Sequence, residues 1–67
     1  MPGDIGAVAA LLTKVLGAVF DEDGLNQLTR ENKLKLIMRG CNAAITNGDW
    51  ASFDRLMDDY RELRQQT

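Results

Sequence analysis

The tripeptide Asn47-Gly48-Asp49 constrains the fold more than any other feature, because it separates two stretches that both read as amphipathic helix. Asn47 or Gly48 suits the left-handed conformation that ends a helix, and Asp49 offers a side-chain oxygen to cap the next one. Upstream, Leu34, Ile37, Met38, Cys41, Ala44 and Ile45 recur at helical spacing. Downstream, Trp50, Phe53, Leu56, Met57, Tyr60 and Leu63 do the same and are expected to be buried. So short a turn makes the pair an antiparallel αα-hairpin. Its first arm is expected over 25–46, beginning between Asp23 and Thr29, and its second over 49–65. Charge supports the pairing. The first arm carries Arg30, Lys33, Lys35 and Arg39 against Glu31, and the second carries Asp54, Asp58, Asp59 and Glu62.

A further helix is expected over 4–20, capped by Asp4. Ile5, Val8, Leu12, Val15, Leu16, Val19 and Phe20 sweep one broad face, with Leu11 and Ala18 widening it; Lys14 is the only charge inside. The opposite strip is small: Gly6, Ala10, Thr13 and Gly17. A glycine inside a helix costs about 1 kcal/mol relative to alanine, a cost usually offset by close approach of another backbone. Gly40 and Ala44 repeat that spacing in the hairpin, while Leu36 and Ala43 lie on a face that one neighbouring helix would not cover.

The fold class is therefore all-α, with three helices in one domain, 1–67. A core of this size rarely supplies more than about 3–5 kcal/mol without a disulfide, a metal or oligomerisation. One cysteine and no histidine rule out an intrachain disulfide and a zinc site. With 45% hydrophobic residues, the chain is expected to be oligomeric or part of a larger complex. The expected interaction surface is Ile5, Val8, Leu12, Val15, Leu16, Val19 and Phe20 with Gly6, Ala10 and Gly17, continued by Leu36 and Gly40.

No enzymatic constellation emerges, so no catalytic residue, cofactor, metal or small-molecule substrate is expected. Asp21-x-Asp23-Gly24 resembles part of a calcium loop, but either register leaves ligand positions empty: Val19 and Arg30 in one, Leu25 in the other. An acidic helix start explains it better. Cys41 has no base and reads as a buried structural thiol. The acids of the last helix alternate with Arg55, Arg61 and Arg64 on a solvent face, where Asp58–Arg61 and Arg55–Asp59 have the spacing of surface pairs. Asn47-Gly48-Asp49-Trp50 followed by Phe53, Met57 and Tyr60 resembles the turn and second helix of a tetratricopeptide-type hairpin, over about a third of the chain. Solenoids stack several repeats and no internal repeat is present, so no function is carried over from that family.

The expected function is a non-enzymatic one: a small helical structural subunit or accessory factor acting by helix-in-groove contact with protein. Compact acidic chains of this style are common among bacteriophage-encoded proteins, as minor virion components or inhibitors of host proteins. The alternative is a membrane-associated protein using the first helix, although Ile5–Phe20 spans only about 24 Å and lacks a basic polar face. A nucleic-acid-binding dimer comes third; with a net charge of −2, and Lys35 and Arg39 facing away from Arg30 and Lys33, it is disfavoured. Asp4 ahead of the apolar run is unlike a secretory signal, so the expected location is the cytoplasm, a virion or another assembly.

Overall fold

Two glycines with positive φ, Gly17 at 69° and Gly48 at 70°, mark where two of the helices stop. The computed structural model describes residues 5–66. They form α1 (Ile5–Leu16), α2 (Glu22–Asn26), α3 (Arg30–Thr46) and α4 (Trp50–Gln65), with no strand among the described residues. The expected cap at Asp4 lies outside them.

The all-α expectation holds, but the helix boundaries change in two places. The first helix ends at Leu16, four residues before Phe20. The Gly17 amide donates to the Thr13 carbonyl at 3.0 Å, and the residue then turns left-handed. A β-carbon built on Gly17 would meet nothing within 4 Å. Gly17 is thus a helix-ending residue, and among the described residues no backbone approaches it closely. Thr13, read from the sequence as one of the small residues, anchors the chain beyond that break. Its hydroxyl donates to the Ala9 carbonyl at 2.8 Å and accepts from the Phe20 amide at 3.0 Å.

The second correction divides the expected 25–46 helix. Asp21 caps α2, its carboxylate accepting from the Gly24 amide at 2.6 Å, and Glu22 and Asp23 occupy the first turn, where the helix dipole favours acids. The acidic segment is a helix start, as expected, and begins a helix of its own. Thr29 is extended (φ −64°, ψ 161°), and its hydroxyl accepts from the Asn32 amide at 3.2 Å, starting α3 afresh. A side-chain oxygen that captures the amide three residues on replaces the intrahelical bond at that point.

The 47–49 turn is as read. Asn47 ends α3, Gly48 takes the left-handed conformation, and the Asp49 amide donates to the Ala44 carbonyl at 2.8 Å. The Asp49 carboxylate caps α4, accepting from the Ser52 amide at 3.2 Å and the Ser52 hydroxyl at 2.7 Å, and pairs with Lys14 at 3.2 Å. The hydrogen bonds from Ser52, and then Lys14, hold its carboxyl below the ordinary value of 3.8. Because the folded-state value is lowered, the stability from this group is complete above 3.8 and is lost as pH falls through the lowered value. Asp49→Ala should lower Tm by about 5 °C at neutral pH, with the gap to the parent narrowing as pH drops below the carboxylate range. Thermal melts at pH 7 and pH 2 check this; an equal gap at both would show that the cap works without its charge.

The core gathers Val8, Ala9, Leu12 and Val15 of α1, Leu25 of α2, Ile37, Cys41 and Ala44 of α3, and Leu56 of α4. Gly40 is its crossing point. A β-carbon there would stand 2.6 Å from Leu12 Cδ2, 3.2 Å from Leu56 Cδ1 and 3.6 Å from Val15 Cγ2. At Gly40 the close approach is made by α1 of the same chain. Ile5 and Val8 lie with Lys33, Ile37 and Leu63, while Lys14 meets Asp49, so α1 runs alongside α3 from its start towards the turn. At the far end of the pair, Arg30 Nε donates to the Leu63 carbonyl at 2.9 Å and Arg30 Nη2 to the Arg64 carbonyl. The start of α3 therefore sits beside the end of α4.

Candidate interaction surface

The residues expected to meet a partner divide according to what α1 covers. Val8, Leu12, Val15 and Gly40 are buried inside the chain. Ile5, Gly6, Leu16, Phe20 and Leu36 are half-buried, and Ala10, Gly17 and Val19 are exposed. The broad apolar face of α1 is thus largely satisfied within the chain, by α3 and α4. Val19, at 90% exposure, stands over an open groove of about 340 Å³ lined by Phe20, Asp21, Gly24, Leu25, Leu28 and Leu36. Here α2 and the segment after α1 partly cover the Leu36 flank that one neighbour could not.

The surplus apolar surface lies instead on the opposite flank of α3 and α4. Met38 is 36% exposed, Ile45 42% and Trp50 58%. Trp50, expected to be buried, is corrected; Met38 and Ile45, two positions of the apolar stripe of α3, stand open. The reason is angular. At about 100° per residue, Gly40 and Leu36 fall on one side of the Ile37 direction of α3, and Leu34, Met38 and Ile45 on the other. Because α1 docks at Gly40, it covers the first side and leaves the second open. On α4 the same construction puts Trp50, Phe53 and Met57 on one flank and Ser52 and Asp59 on the other. Ser52 is 2% exposed and bonded to Asp49, the residue that Lys14 of α1 reaches, so its flank is the one turned to α1.

The levels along the two helices also match. Arg30 is level with Leu63 and Arg64, and Gly40 with Leu56. By that register Leu34 is level with Tyr60, Met38 with Met57, and Ile45 with Trp50. The two open flanks therefore form one apolar face along the length of the pair. Trp50 is held in place on it by Phe53, edge to face at 5.8 Å between ring centroids. The signal for this face was present in the sequence, since α3 carries apolar residues over a wider arc than α4 alone covers. Which flank α1 would take was not.

Of the surface pairs expected within the last helix, one is seen directly. Asp58 and Arg61, one turn apart on α4, pair at 3.1 Å. Arg30 makes a polar link between α3 and α4 by reaching the backbone carbonyls of Leu63 and Arg64. Lys35, Arg39 and Asp54 have no ion-pair partner among the described residues.

Cys41, 1% exposed, has its thiol pushed up by burial and secondarily by Asp59. A thiol so placed is shielded from substrate and short of its reactive thiolate form. Among the described residues no group of three or more metal-ligating side chains comes together, and no helix is long and apolar enough to cross a membrane. Comparison with family models, curated proteins and solved structures gives no match.

Proposed function

We propose that the protein is a non-enzymatic binding or structural subunit, and that it meets a protein partner through the face of the antiparallel α3–α4 hairpin turned away from α1. One observation carries the reading: Met38, Ile45 and Trp50 stand exposed on one side, backed by half-buried Leu34, Phe53, Met57 and Tyr60. Scattered surface apolar residues need no explanation, whereas a contiguous row ending in a half-exposed tryptophan has the composition of an interface centre. Phe53 fixes the indole before any partner arrives, which lowers the ordering cost of association. The feature that favoured a membrane, the width of the first helix's apolar face, is met by α3 and α4.

The test is a photo-crosslinking residue placed at position 45, with position 55 as control. Arg55 is exposed on the other flank of α4. In cells, Ile45 replacement should give one or a few discrete covalent protein adducts, and Arg55 replacement none. A featureless smear at both positions, or no adduct at either, would remove the reading.

A further inference from the structure

The charges bordering the apolar face indicate what covers it. Lys35 and Arg39 stand one turn apart on the outer edge of α3, and Asp54 and Asp58 one turn apart on the outer edge of α4. Each pair is displaced from its helix's open apolar flank by a similar angle, at about 100° per residue. In the register fixed by Arg30 and Gly40, Arg39 falls at a level between Asp54 and Asp58, and Lys35 just beyond Asp58. Within one chain these groups point away from each other and do not pair. Asp58 takes only its exposed neighbour Arg61, a contact worth little in water.

Resting on the interface reading above, we infer that the partner is a second copy of this chain, docked face to face about a two-fold axis parallel to the helices. Such an axis keeps every residue at its own level and lays α3 across the partner's α4, running antiparallel. Met38 then meets the partner's Met57 and Ile45 meets the partner's Trp50, continuing the layers already set within each chain. At the edge, Lys35 and Arg39 meet the partner's Asp54 and the partner's Asp58, and symmetry repeats the set on the other side. Each helix of the resulting four-helix layer has antiparallel neighbours, the arrangement helix dipoles favour. A two-fold axis perpendicular to the helices would instead lay α3 on α3 and bring the basic edge against itself. The pairs Lys35/Arg39 and Asp54/Asp58 favour the first arrangement, with Arg61, which is level with Lys35 and nearer the face, neutralised by Asp58 of its own chain.

Charge exchange tests this without touching the core. One chain carries Lys35→Glu and Arg39→Glu, the other Asp54→Lys and Asp58→Lys; circular dichroism confirms that each is folded. By sedimentation equilibrium the parent should have twice the chain's 7.4 kDa mass. Each variant alone should dissociate about a hundredfold more readily, and an equimolar mixture should return to the dimer mass, since both edges are then complementary. Variants that remain dimeric alone, or a mixture that remains monomeric, would overturn the arrangement. A monomeric parent whose position-45 adduct contains a different protein would overturn self-association while leaving the interface reading standing. A monomeric parent with no adduct at all would remove both.

Discussion

Leu12→Ala should leave the chain predominantly unfolded at 25 °C. Leu12 is wholly inaccessible and lies where α1 meets Gly40. Truncating a leucine so placed costs about 3–5 kcal/mol, the transfer term plus the cavity left behind. A chain this small, with its single cysteine free, holds about that much in total. Urea titration followed by circular dichroism measures the effect. A cooperative transition within about 1 kcal/mol of the parent would mean that α1 contributes little to the core.

Gly40→Val should destabilise by about 2–3 kcal/mol through overpacking, although valine is the better helix former. The first atom added would already stand 2.6 Å from Leu12 Cδ2, and neither Leu12 nor Leu56 has exposed space to retreat into. The readout is a drop in Tm together with loss of α1 amide protection, because α1 is the element pushed away. An unchanged or raised Tm would show that α1 and α3 do not approach as closely as Gly40 requires.

These two residues illustrate what the sequence could and could not disclose. Helical periodicity and the Asn47-Gly48-Asp49 turn were legible because their determinants are local: a left-handed glycine and a carboxylate three residues before the amide it caps. The helix break at 27–29 was missed because Leu25 and Leu28 keep apolar residues in the segment, and Thr29 declares itself a cap only when its hydroxyl takes the Asn32 amide. Gly17 and Gly40 look alike in the sequence, each a glycine within an apolar helical pattern. One ends its helix with φ of 69°, and the other admits a neighbouring helix. The difference lies in what surrounds them, which one-dimensional spacing does not encode.

The candidate interaction surface was legible only in its existence. A small chain rich in apolar residues was expected to leave some of them uncovered, and it does. Their location depended on which flank of α3 receives α1. The sequence marks both flanks as apolar, with Leu36 and Ala43 on one and Met38 and Ile45 on the other. Gly40 decides between them, since its missing β-carbon leaves room for Leu12 and Val15 to come so near. Covering that flank leaves Met38, Ile45 and Trp50 exposed, so the surface proposed for a partner lies on α3 and α4 and not on α1.

The proposed interface requires that α1 fold onto its own chain and leave the opposite flank of α3 open. Amide hydrogen exchange on the Met38→Glu variant, set against the parent, tests it directly. With α1 docked within the chain, the amides of Val8 to Val15 remain as protected in the variant as in the parent, even where association is weakened. Loss of protection along α1 on that single substitution, made on the far side of α3, would show that α1 is held by a neighbouring subunit and contradict the account.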